Sequence, residues 1–153
     1  MRLTVYSDFS LRLLIYLAVS ADVRVTIGTV ADAYGIPKNH LTKVAHQLGL
    51  VGYIATVRGK GGGLRLAKPP ALIRLGDVVR LTEPDFALVP CFAPVRAGCP
   101  IIPACGLIGA LQRAGAAFLA ELDRYTLEDI TQRRAELCQL LGLPTDGPSA
   151  ALR

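Results

Sequence analysis

Residues 26–67 read TIGTVADAYGIPKNHLTKVAHQLGLVGYIATVRGKGGGLRLA, and the fold turns on how this stretch is read. Thr26 can cap a helix over Ile27 to Tyr34, since its hydroxyl can accept an unpaired N–H of the first turn. Gly35 can end that helix by supplying a left-handed residue. Ile36 and Pro37 lead into a second helix, Pro37 to Leu48, because proline is tolerated in a first turn. Ala31, Ile36, Leu41, Val44 and Leu48 fall where they would pack the pair together. Lys38, Asn39, His40, Thr42, Lys43, His46 and Gln47 remain polar. A recognition helix needs such a set, with long donors for phosphate and amides or imidazoles for base edges. An ordinary amphipathic helix with a solvated face accounts for the same pattern, so the hairpin that follows has to decide.

Leu50 to Val57 reads as a strand, Arg58-Gly59-Lys60-Gly61-Gly62-Gly63 as a tight basic turn, and Leu64 to Ala67 as the returning strand. A hairpin directly after a helix-turn-helix is a wing. Its glycines, Gly61 and Gly62 among them, let backbone lie close to a phosphate or in the minor groove. Arg58, Lys60 and Arg65 supply charge, and a narrow minor groove favours arginine. A nucleotide-binding loop would need Walker or dinucleotide spacing between a strand and a helix, and neither is present.

Around this centre, Asp8 to Val19 reads as a helix with Leu11, Leu14, Ile15 and Ala18 on one face and Ser7 or Asp8 as its N-cap. Leu75 to Leu81 reads as another helix. From Pro84 to Ala104 periodicity vanishes, and five prolines make an irregular loop that carries Cys91 and Cys99, with Cys105 just beyond it. Leu107, Leu111, Ala114, Phe118, Leu122 and Tyr125 then form a long apolar seam suited to packing between two copies of the chain. A capping box at Thr126-Leu127-Glu128-Asp129 starts a last helix to about Leu141, and Pro144 to Arg153 reads as a frayed tail.

The fold class expected is therefore mainly α with a small β-hairpin wing, a winged helix-turn-helix followed by a long C-terminal dimerisation helix. The expected divisions are 1–82 for DNA binding, 83–106 for the cysteine loop, 107–143 for the dimerisation helices and 144–153 for the tail.

Charge and composition agree with this division. Residues 1–80 hold 11 Lys and Arg against 4 Asp and Glu, whereas residues 81–153 hold 6 against 8. A basic first half and a mildly acidic second half point to a nucleic-acid-binding portion joined to something else. With 52% hydrophobic and 19% charged residues in 153, the chain can build a core and is no disordered tail. The apolar run Leu11 to Val19, interrupted by Arg12, is too short for a membrane span. The polar N-terminal stretch makes a poor signal peptide, so a cytoplasmic protein with no membrane partner is expected. No nucleophile–base pair or metal-site helix motif points to an enzyme.

Cys91, Cys99 and Cys105 are separated by seven and five residues. Structural zinc favours closer pairs, whereas iron–sulfur clusters accept varied spacing and need four ligands for a cubane. A cluster with one odd ligand and a set of free thiols or a thiol switch both remain open on spacing alone. Cys138, in the last helix, reads as a small buried thiol.

The stretch Tyr6-Ser7-Asp8-Phe9-Ser10-Leu11-Arg12, the helix-turn-helix, the glycine-rich wing and the three-cysteine loop together resemble the Rrf-type winged-helix regulators of bacteria, over residues 1 to about 140. The resemblance implies a homodimer with crossing C-terminal helices and a cluster near the dimer interface. Members that control iron–sulfur assembly place a histidine three residues after the third cysteine, where this chain has Ile108. Members that sense nitric oxide use a carboxylate from the first helix of the other subunit, and Asp8 stands at the matching place. The first cysteine gap is longer than is common in that branch.

The resemblance thus implies a dimeric repressor of a double-stranded DNA operator. Its 4Fe–4S cluster, with 2Fe–2S as the alternative, would be held by Cys91, Cys99, Cys105 and Asp8 of the partner subunit, and nitric oxide would be the signal. Asp8 as a plain helix cap is the competing role. On DNA, Lys38 and Lys43 are expected on phosphates, Asn39 and His40 on base edges, Arg58 in the minor groove, and Lys60, Gly61 and Gly62 along the wing backbone. The rivals are a regulator of cluster assembly or of iron or redox state, a small iron–sulfur electron carrier, and a cluster-free thiol-switch or ligand-binding regulator.

Overall fold

A computed structural model describes residues 2–20, 24–57, 59, 62–92 and 99–145. The elements run α1 (Val5–Val19), α2 (Ile27–Tyr34), α3 (Lys38–Leu50), β1 (Ile54–Val57), β2 (Gly63–Leu66), α4 (Leu75–Thr82), α5 (Gly106–Leu122), α6 (Leu127–Ile130) and α7 (Arg134–Leu140), with short 3-10 turns at Pro70–Leu72, Pro90–Phe92 and Ile102–Ala104.

The first helix starts earlier than Asp8. Thr4 is its N-cap, and the Thr4 hydroxyl accepts the Ser7 N–H at 3.2 Å. Neither Ser7 nor Asp8 caps the helix, so the cap expected there belongs to Thr4. The inner stripe of α1 is also turned by about one residue, with Ser10, Leu13, Leu14 and Leu17 buried. Leu11, Ile15 and Ala18 lie at its edge.

The helix-turn-helix forms as its caps dictate. Thr26 and Thr29 close a reciprocal capping box on α2. Gly35 ends α2 at φ 65°, a conformation a side chain would strain. Ala31, Ile36, Leu41, Val44 and Leu48 are all buried, in one core with Leu13, Leu14, Val30, Ile54, Ile73, Val78 and Leu127.

The strand expected from Leu50 begins only at Ile54. The helix runs on to Leu50 and then turns through Gly52 at φ 74°, and the Tyr53 N–H reaches back to the Leu48 carbonyl at 2.9 Å. β1 and β2 pair antiparallel, with Ile54 opposite Leu66 and Val57 opposite Gly63. The stretch before α2 adds a third rail, since Val25 bridges Leu64 and its carbonyl accepts the Leu64 N–H at 2.7 Å.

The single helix expected from Thr126 to Leu141 is two. Thr126 and Asp129 do form a capping box, but the Thr131 hydroxyl donates to the Leu127 carbonyl at 2.8 Å and Arg133 leaves the helical region at ψ 47°. A hydroxyl that competes for helix carbonyls favours such a break.

α5 is the outlier of the fold, because none of its 17 residues is buried although its inner face is Leu- and Ala-rich. Its C-terminal end is nevertheless tied down. Arg80 of α4 donates to both oxygens of Asp123 at 2.7 and 2.6 Å, the Leu75 N–H donates to the Tyr125 carbonyl at 3.0 Å, and the Leu127 N–H to that of Ile73 at 2.8 Å. Beyond it, Cys138 packs under α1 with its thiol 3.5 Å from the Val19 carbonyl. No helix among the described residues is long and apolar enough to cross a membrane.

Candidate DNA-binding face and cysteine loop

The outer side of α3 carries Lys38, Asn39, His40, Thr42, Lys43, His46 and Gln47, all exposed. The core residues Leu41, Val44 and Leu48 fix its inner side, so the polar set points away from the domain as a recognition helix requires. The His40 ring stands 6.0 Å from that of Phe9 on α1, which draws it toward the flank of the helix. Lys38 pairs loosely with Asp32 across the helix-turn-helix at 3.9 Å, leaving the ammonium exposed.

The wing turn is closed by a hydrogen bond from the Gly62 N–H to the Gly59 carbonyl at 2.9 Å, with Gly59 at φ 97°. The Gly62 carbonyl accepts from Arg24 Nε at 2.7 Å. Both polar backbone groups of Gly62 are thus engaged within the protein. Arg58, Lys60 and Gly61 lie outside the described residues.

All four cysteines are free thiols. Cys91 and Cys105 are half-buried, Cys99 is exposed and Cys138 is buried. Among the described residues no three His, Cys, Asp or Glu side chains converge as a metal site. Cys91, Cys99 and Cys105 share one segment but are not gathered by this single chain, and residues 93–98 between the first two lie outside the described part. Asp8 projects from the first turn of α1, where its carboxylate accepts from Arg12 Nε at 2.9 Å. The Arg12 guanidinium in turn stands 5.7 Å from the ring centre of Tyr34, at the end of α2. Burial pushes the Tyr34 hydroxyl up to about 12, so that ring stays neutral. Three thiols are the donor type that iron–sulfur clusters use, and a cubane would need a fourth ligand from elsewhere.

Glu83, which the sequence did not single out, ties the two ends of this region. Its carboxylate accepts from the Thr4 N–H at 2.8 Å, the Thr4 hydroxyl at 3.0 Å and the buried Ser7 hydroxyl. It therefore anchors the start of α1 to the segment that leads to Cys91. No local pattern could have revealed it, because the partners lie 76 to 79 residues apart. Burial alone would raise the Glu83 pKa, but the hydrogen bonds from Ser7 and Thr4 outweigh it and hold the carboxyl below its ordinary value. A carboxylate held low in the fold stabilises it above the unfolded pKa of about 4.3, and this contribution is lost as pH falls through the lowered value. Thermal melting between pH 7 and pH 3 should therefore show a loss that Glu83→Gln lacks, worth about 1 kcal/mol, or roughly 3 °C. Equal acid sensitivity in both proteins would reduce Glu83 to a bystander.

Residues 3–133 match the family described as Rrf2, iron-dependent transcriptional regulator. The HTH-type transcriptional regulator NsrR of Bacillus licheniformis is 48% identical over 142 residues, covering 92% of this chain and 99% of that protein. NsrR of Bacillus subtilis is 46% identical over 142 residues, covering 92% and 97%. Among solved structures, CymR, the global cysteine regulator of B. subtilis, superposes with a TM-score of 0.70 at 23% identity, covering 87% of this chain and 98% of that one. At that identity the likeness speaks for the fold alone. A winged helix-turn-helix with an exposed polar recognition helix, joined to relatives this close over nearly the whole length, settles the family. The chain belongs to the Rrf2 family of transcriptional regulators.

Proposed function

We infer that this protein is a dimeric DNA-binding repressor whose 4Fe–4S cluster, held by Cys91, Cys99, Cys105 and Asp8 of the partner subunit, senses nitric oxide. The observation that carries the reading is the release of Asp8 from capping. Thr4 does that work, and the Asp8 carboxylate is left exposed beside a single arginine, 45% accessible at its side chain. The two NsrR relatives, at 46–48% identity, support the choice of signal. The unburied apolar face of α5 supports the dimer, since a second copy would cover it. When bound, the cluster supplies nitric-oxide-reactive iron, and oxygen is a poorer ligand for it than thiolate.

What the chain's own residues do follows from the contacts around Asp8. Asp8 would supply the oxygen donor to the partner's cluster, and Arg12, one turn away, pairs with its carboxylate when it is not a ligand. Arg12 also faces Tyr34, and the helix that carries Asp8 also carries Phe9, which meets His40. A shift of α1 therefore reaches both helices of the DNA-reading unit, and a small rotation of the recognition helices in a dimer spoils half-site spacing.

Asp8→Ala tests the reading. Anaerobic absorption with iron and sulfide counts should show a cluster still held by the cysteines, lost to a chelator about tenfold faster and with an altered nitric oxide titration. Wild-type lability and response would remove Asp8 from the ligand set. The words "iron-dependent" in the family description favour a second reading, a regulator responding to iron or redox state. Release from DNA by iron depletion or oxygen, with no response to nitric oxide, would establish it, and the iron count separates 4Fe–4S from 2Fe–2S.

A further inference from the structure

We propose that Arg24 is a positioning residue for DNA recognition, a brace that fixes the tip of the wing relative to the helix-turn-helix. The proposal rests on the reading of the hairpin as a DNA-contacting wing. Arg24 lies two residues before the Thr26 cap, on the extended stretch that runs along β2. There the Val25 carbonyl accepts the Leu64 N–H at 2.7 Å, and Val25 itself is buried. The approach is closer than any side chain would allow, because a Cβ on Gly63 would stand 2.4 Å from the Val25 oxygen. This contact fixes the root of the hairpin, and Gly62, one residue further into the turn, needs a support of its own.

Arg24 supplies that support. Its Nε–H donates to the Gly62 carbonyl at 2.7 Å, on the residue whose N–H closes the turn onto Gly59. The hydrogen bond spans 38 residues of sequence and joins the turn to the chain just before α2. An arginine suits the task. Its guanidinium is planar, keeps its charge and holds Nε in a fixed direction, whereas a lysine ammonium is a mobile point charge. A charge-assisted bond to a carbonyl is also stronger than a neutral one. The Arg24 side chain thereby sets the height at which the turn residues meet a DNA groove, without itself having to touch DNA.

Because Arg24 is exposed, its variants should fold, and charge can be separated from geometry. Arg24→Lys keeps the charge and loses the fixed Nε donor, whereas Arg24→Gln loses the charge. Full-length protein would be titrated on operator duplexes with AT-rich and with GC-rich flanks, at several salt concentrations, beside wild type and Arg58→Ala. A brace predicts that both Arg24 variants lose the preference for AT-rich flanks by about fivefold, the worth of one hydrogen bond, with the salt slope little changed. If Arg24→Lys keeps the preference while Arg24→Gln flattens the slope by about one unit per contact, Arg24 is a phosphate clamp and the brace is wrong. Wild-type behaviour in both variants would make the hydrogen bond incidental. Should wild type itself show no flank preference and Arg58→Ala no loss, the wing reading falls and takes the brace with it. That outcome is visible in the two control proteins alone.

Discussion

Cys91→Ala, Cys99→Ala and Cys105→Ala should each abolish iron and sulfide binding while leaving a folded protein. None of the three side chains supports the core, since Cys91 and Cys105 are half-buried and Cys99 is exposed. A cubane that loses one of three thiolates finds no ready replacement, because among the described residues no group of three metal-ligating side chains converges anywhere. Cys138→Ala should behave in the opposite way. The residue is 1% exposed and its thiol packs against the Val19 carbonyl, so the variant should keep its iron and lose about 1 kcal/mol of stability. Iron and sulfide analysis beside thermal melting separates the two classes. Retention of full iron by any of the first three variants would break the ligand set, as would its loss from Cys138→Ala alone.

Gly63→Ala should cut operator affinity by about a hundredfold, the combined effect in a dimer of losing one good groove contact in each half-site. The methyl group would meet the Val25 carbonyl oxygen at 2.4 Å and its carbon at 3.3 Å, both backbone atoms, and the oxygen already accepts the Leu64 N–H. β2 must then move off Val25, and the whole wing with it. The helical core does not depend on that contact, so the helical circular-dichroism signal should persist with a melt lowered by about 2 kcal/mol of stability. Unchanged operator binding would show that the wing's position is irrelevant to recognition.

These two expectations differ in how they could be reached. The helix-turn-helix was legible because each boundary is local: Thr26 with Thr29, Gly35, and the apolar spacing of Ala31 to Leu48 all act within a few residues. Thr126 with Asp129 was legible for the same reason. The start of α1 was not, because Thr4, Ser7 and Asp8 are all competent caps and only tertiary packing chooses among them. Leu50 to Tyr53 is apolar enough for helix or strand, and Gly52 decided it. The break at Thr131 to Arg133 interrupts a sequence with no proline or glycine to mark it. Glu83 and Arg24 were invisible for a plainer reason, as each acts on residues far along the chain. The cysteine segment showed its thiols in the sequence, but among the described residues a single chain does not bring three such groups together.

The attachment of α5 has a mechanical consequence. Pinned at Asp123 and Tyr125 and with none of its residues fully buried, the helix is a rigid arm with its fulcrum against the DNA-reading unit and Cys105 at the opposite end. At 1.5 Å per residue its 17 residues make an arm of about 25 Å, so a swing of about 5° at the fulcrum carries the Cys105 end by about 2 Å. Run in reverse, a displacement of a couple of ångströms at the cysteine loop arrives at α4 as a much smaller movement delivered with proportionately greater force. In the proposed reading, such an arm would link the making or breaking of one ligand bond to the angle of a helix seated in a groove.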